Sequence, residues 1–122
     1  MIIVAVDDLL FSSKIRETAR HAGAELMFAR TPDAVLREAR ERRPPLVIFD
    51  LNADRIQPIP TIQALRQDPD LAGIRLVGFV SHVRTDIIEA ARAAGAEVMP
   101  RSRFVAELEQ LLTGARGLGQ EA

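Results

Sequence analysis

The chain has 122 residues, enough for one domain with a real core. Hydrophobic residues make up 48%, and 16 basic against 17 acidic residues leave a net charge of -1. This excludes a disordered chain and gives no electrostatic footprint for nucleic acid or an anionic membrane. Cysteine is absent, which excludes disulfides and thiolate metal sites.

Met1 to Val6 is too short and ends too acidic for a signal peptide, and no apolar run is long enough to span a bilayer; a cytoplasmic location is the expectation. Ile2 to Val6 is a β-branched run of the kind a strand buried on both faces requires. It stops at Asp7 and Asp8. Ser12 and Ser13 are the expected caps of a helix running to about Ala22, which Gly23 ends. Glu25 to Ala29 reads as a second strand. Thr31 caps the next helix, with Pro32 at its first position and Val35, Leu36 and Ala39 on its buried face; Pro44 and Pro45 break it. Leu46 to Phe49 is a third buried strand, ended by Asp50. Leu51 to Pro60 is the longest expected irregular loop, and Thr61 to Gln67 a short helix. Arg75 to Val80 is a fourth strand. A helix from Thr85 carries Ile87, Ile88, Ala91 and Ala94 and ends at Gly95. Glu97 to Met99 is a fifth strand, and Ser102 is the expected cap of a last helix carrying Val105, Leu108, Leu111 and Leu112. The domain is drawn at 1–113, and 114–122, with three glycines, is expected to be a flexible tail.

Strict alternation of strands and helices predicts an α/β fold: a doubly wound five-stranded parallel sheet with helices on both faces. In such sheets ligands bind beyond the carboxyl ends of the strands, at the switch point. In the flavodoxin-like order 2-1-3-4-5, the strands ending in Asp7-Asp8 and Asp50 are neighbours, so three carboxylates converge. Unscreened, they repel and shift one another's pKa values; a hard divalent cation such as Mg²⁺ relieves this. A single Asp after a strand more often caps the following helix, but a pair after one strand with another after its neighbour is more specific. No G-x-G-x-x-G follows the first strand, and no P-loop is present. His82 beside Ser81 makes no nucleophile–base pair on a strand, and no G-x-S-x-G elbow exists.

With these residues in place, the chain resembles a response-regulator receiver domain of the chemotaxis-regulator type over Met1 to Leu112. The resemblance implies that Asp7 and Asp8 hold Mg²⁺ and that Asp50 accepts a phosphoryl group. It also implies that the backbone carbonyl of Asn52 completes the metal ligands. The turn Ala94-Gly95-Ala96 is similar as well. Three places depart from the pattern. The hydroxyl position after the fourth strand falls on Val80 in an ungapped match, with Ser81 beside it; a local bulge would turn Ser81 inward, and Ser81 as a helix cap is the alternative. The lysine after the fifth strand is replaced by Ser102, between Arg101 and Arg103. The only lysine in the chain is Lys14; Arg101 is able to reach in, as a planar fork rather than a point charge, and the alternative is that Arg101 and, more so, Arg103 are surface residues near a loop. The aromatic switch position in the fifth strand holds Met99.

The resemblance implies a receiver in two-component phosphorelay signalling rather than an enzyme. A histidine kinase or phosphotransfer protein is its donor, and a downstream protein docks on the helix 4–strand 5–helix 5 face, roughly Val83 to Leu112. Ile87, Met99 and Phe104 are contact candidates there, each equally readable as core. The retained Asp7, Asp8 and Asp50 favour this reading. The lost lysine and Met99 favour a pseudo-receiver, a protein-interaction module independent of phosphorylation. A small phosphatase or hydrolase using the same acids lacks a second catalytic group.

Overall fold

Every strand of the sheet is parallel to its neighbours, so each connection must cross over a face of the sheet, and each crossover carries a helix. In chain order the elements are β1 (Ile2–Ala5), α1 (Leu9–Ala22), β2 (Leu26–Phe28), α2 (Pro32–Arg42), β3 (Leu46–Asp50), a short 3₁₀ turn (Asp54–Ile56), α3 (Pro58–Gln67), β4 (Arg75–Val80), α4 (Thr85–Ala94), β5 (Glu97–Pro100) and α5 (Arg101–Glu121). The sheet order is β2-β1-β3-β4-β5. This computed structural model describes residues 1–121, with side chains described as far as Ala115.

Both faces of the sheet are covered, which is why the strands are apolar throughout. Ile3, Ala5, Val47, Phe49, Leu76 and Val80 pack on one face against α2, α3 and α4. Ile2, Val4, Ile48, Val77, Phe79 and Met99 pack on the other against α1 and α5. On that second face Phe11, Phe79 and Phe104 form a trio. Phe79 stacks on Phe104 at 4.5 Å between centroids, and Phe11 meets Phe79 edge-on at 5.0 Å, geometries that add to the gain from burial alone.

Several boundaries differ from expectation. α1 starts at Leu9, capped by Asp8, whose Oδ1 accepts from the Phe11 N–H at 3.1 Å. Ser12 and Ser13 therefore lie inside the helix; Ser12 is buried and Ser13 donates to the Leu9 carbonyl at 3.1 Å. Asp caps at least as well as Ser and stands earlier in the chain. α3 begins at Pro58 instead of Thr61, and together with the 3₁₀ turn it fills most of the expected loop. Its two prolines fall in the first turn, where no N–H is required. α5 starts at Arg101, directly after β5, so Ser102 lies within the helix rather than capping it. The helix then continues through Gly114 as far as Glu121, where a flexible tail was expected; Ala122 lies outside the described residues. Leu111, Leu112 and Ala115 are buried, so packing carries the helix across a residue of poor propensity.

One glycine bears on the site. A Cβ on Gly78 in β4 would stand 2.7 Å from Leu51 Cδ1. Its absence lets Leu51, the residue after Asp50, pack directly over the strand.

Candidate functional site

The carboxyl ends of β1, β3, β4 and β5 bring Asp7, Asp8, Asp50, Ser81 and Arg101 to one end of the sheet. Asp50 closes β3, paired in register with Phe79 of β4, and the Leu51 N–H extends that ladder to the Phe79 carbonyl at 3.0 Å. Its carboxylate accepts from the Asn52 N–H at 3.0 Å. Burial pushes the Asp50 carboxyl above its ordinary value; the Asn52 N–H pulls it down, the charge of Asp7 raises it, Arg101 lowers it and Asp8 raises it least. Asp7 is half-buried and Asp8 exposed, in keeping with the stronger hold of Asp7 on Asp50.

Arg101 opens α5 at this end of the sheet, and its charge lowers the Asp50 carboxyl. Its guanidinium carbon lies 3.9 Å from the centroid of the Phe11 ring, and its Nη1 donates to Ser81 Oγ at 3.4 Å. A guanidinium over an aromatic face at this distance gains cation–π attraction. Ser102, matched to the lost lysine, is exposed, because α5 begins directly at the end of β5. Arg103 pairs with Glu107 at 2.5 Å on the outer face of α5, a surface role.

Val80 is buried among residues of the α2–α4 side, while Ser81 meets Arg101. Ser81 is not a helix cap: the residue before α4 is Arg84, with no side-chain cap. Met99 and Phe104, offered as contact candidates, are 4% and 0% exposed and belong to the core; Ile87 is half-buried.

Among the described residues, no group of three or more His, Asp or Glu side chains is disposed to hold a metal ion. The three expected carboxylates thus stand at one end of the sheet without forming a ready-made group of three ligands. Asp8 spends one oxygen, Oδ1, on the α1 cap. The donor set still suits Mg²⁺, which takes one or two carboxylates and completes its shell with water. Two features were not legible in the sequence. Phe11 as a platform for Arg101 needs the meeting of α1 and α5, which no spacing shows. The Asn52 side chain accepts from the N–H groups of Ser81 at 2.7 Å and His82 at 3.2 Å, whereas the sequence points only to its backbone carbonyl.

Among solved structures, the chain is similar to a response regulator from Hahella chejuensis, with a TM-score of 0.82 at 18% identity over 93% of this chain and 92% of that one. It is similar to the chemotaxis response regulator CheY4 of Vibrio cholerae, with a TM-score of 0.78 at 16% identity over 93% and 96%. It is also similar to the Mn(2+)-bound form of the response regulator Rcp1, with a TM-score of 0.75 at 20% identity over 93% and 88%. The chain has the receiver-domain fold. No family model and no curated protein matches the sequence. The receiver fold is thus recognised through its shape and strand order. No helix among the described residues is long and apolar enough to cross a membrane.

Proposed function

We propose that this chain is a receiver in a two-component phosphorelay, with Asp50 as the phosphoacceptor. One observation carries the reading: Asp50 ends β3 half-buried at the end of the sheet that also carries Asp7, Asp8 and Arg101, its carboxyl pushed up by burial, pulled down by the Asn52 N–H, raised by Asp7, lowered by Arg101 and raised by Asp8. A phosphoryl group arriving on such a carboxylate meets a cation already in place. An Asp50 oxygen attacks phosphorus, the bond to a donor imidazole nitrogen breaks, and the imidazole leaves. What the protein supplies is positioning and charge stabilisation, as loose phosphoryl transfer requires. Arg101 and the Ser81 hydroxyl are the groups that would face the transferred oxygens. Asp7, Asp8, Asp50 and the Asn52 carbonyl would hold Mg²⁺, which neutralises charge on acceptor and donor when bound. The donor is a histidine kinase or phosphotransfer protein, the location is cytoplasmic, and the role is that of a switch rather than an enzyme. A downstream protein would dock on the α4–β5–α5 face, where Ile87 remains available and Met99 and Phe104 do not.

A second reading has its own observations. Asp8 is engaged as a cap, no three-residue metal cluster is present among the described residues, and Ser102 stands where the resemblance places a lysine. These favour a pseudo-receiver that binds its partner without phosphorylation. Intact-mass measurement after incubation with acetyl phosphate and Mg²⁺, beside Asp50→Ala, separates the two. A single Mg²⁺-dependent phosphoryl adduct, lost in the variant, is the expected result. No adduct on the folded protein, from acetyl phosphate or from phosphorylated kinases, supports the pseudo-receiver.

A further inference from the structure

The geometry points to Asn52 as a positioning residue that ties the state of Asp50 to the loop between β4 and α4; as a signalling device this rests on Asp50 being the acceptor. Asn52 holds both partners at once. Its backbone N–H donates to Asp50 Oδ1 at 3.0 Å. Its side-chain oxygen accepts from the N–H groups of Ser81 at 2.7 Å and His82 at 3.2 Å, and its Nδ2 donates to the His82 carbonyl at 3.5 Å. The two segments are 29 and 30 residues apart in sequence, so this is a tertiary tie between the ends of β3 and β4.

The loop it holds is otherwise poorly fastened. Residues 81–84 are all exposed, and Arg84 gives α4 no side-chain cap. Its further side-chain bonds are the long one from Arg101 to Ser81 Oγ, at 3.4 Å, and the exposed Arg84–Asp86 pair at 2.9 Å, which stays within the chain segment itself. Ser81 and His82 thus place their backbone donors on an acceptor whose own backbone is fixed by the Asp50 carboxylate. A change at that carboxylate that displaces the Asn52 N–H moves the amide with it, because both belong to one short residue. The loop carries Val83, which is 82% exposed, so what the tie orders is the presentation of an apolar side chain beside the site. This route needs neither an inward hydroxyl at Val80 nor a rotating aromatic at Met99, both of which are core residues here.

Amide hydrogen exchange at Ser81 and His82, with Val77 in β4 as an internal control for folding, tests the tie through a double-mutant cycle. Asn52→Ala is expected to speed exchange at both amides at least about tenfold, the loss given by two hydrogen bonds of ordinary net strength. Asn52→Asp, which keeps an acceptor oxygen, is expected to retain the protection. Asp50→Ala is expected to speed the same two amides in the Asn52 background and to add nothing in Asn52→Ala. Unchanged rates in Asn52→Ala, or equal effects of Asp50→Ala in both backgrounds, overturn the inference. Should Asn52→Ala not fold, Asn52→Ser, too short to reach both amides, runs the same cycle. Failure of Asp50 as acceptor appears separately, as the absence of an adduct by mass, and leaves the cycle's outcome readable. Where an adduct forms, it is expected to alter the Ser81 and His82 rates in the wild type and not in Asn52→Ala.

Discussion

The two sides of the pocket are built differently. On the β1–β3 side, Asp7, Asp8 and Asp50 stand at the ends of apolar strands, and bonds to backbone place two of them: register for Asp50, the α1 cap for Asp8. On the β4–β5 side the functional groups are placed by side chains. Arg101 lies where it does because Phe11 offers a ring face at 3.9 Å, and Phe11 is itself held by Phe79 and Phe104. The acidic side therefore needs little more than apolar strands that end near Asp. The cationic side depends on a particular packing arrangement, and it is there that the chain departs from the receiver pattern.

The strongest way to break this contrast is at the aromatic trio. Phe104 is fully buried and stacked on Phe79, so Phe104→Ala is expected to cost about 3–5 kcal/mol of stability, read from urea unfolding. A loss below about 1 kcal/mol would mean that the trio does not support the Arg101 platform. The acidic side responds more mildly and in two separable ways. Removing the α1 cap with Asp8→Ala costs about 1 kcal/mol without metal, whereas Asp8→Asn, itself a good cap, costs little. Mg²⁺ at a hundredfold excess over its Kd should stabilise the wild type by about 2.7 kcal/mol. Both variants should lose most of that gain, if the Asp8 charge serves the metal. Retention of the full Mg²⁺ effect in Asp8→Asn would move the site to Asp7 and Asp50 alone.

The same contrast decides what was legible in the sequence. Strand order, parallel pairing and the placing of Asp7, Asp8 and Asp50 follow from apolar runs ending in carboxylates, a local pattern that topology brings together. The missed features are tertiary. Asp8 takes the cap expected of Ser12 or Ser13 because α1 starts a turn earlier, at Leu9, and leaves both serines inside the helix. Arg101 was named as a candidate cation, but its ring platform comes from a residue 90 positions away. Met99 and Phe104 were open between surface and core, and only the packing of α5 against α1 buries them. The Asn52 tie joins two loops, where neither helical nor strand periodicity applies.

The smallest expected effect joins the two sides through Asp50. Burial raises its carboxyl above the ordinary value of 3.8, with Asp7 and Asp8 adding to this and Arg101 opposing it. A raised folded-state pKa means that folding favours the protonated form. The stabilisation it brings is fully present below the unfolded value and is lost as pH rises through the folded one. At neutral pH the ionised Asp50 is therefore a net cost, and Asp50→Asn is expected to raise the urea midpoint there. That gain should shrink as the pH falls through the window just above 3.8 and vanish below it. In Arg101→Ala, where the opposing charge is gone, the neutral-pH gain from Asp50→Asn should be larger than in the wild type. Midpoints for the four proteins at neutral and acidic pH close a cycle in which the packing lost with Arg101 cancels. An equal gain with and without Arg101 would show that the guanidinium on Phe11 does not bear on Asp50, and the cationic side would then be structural only.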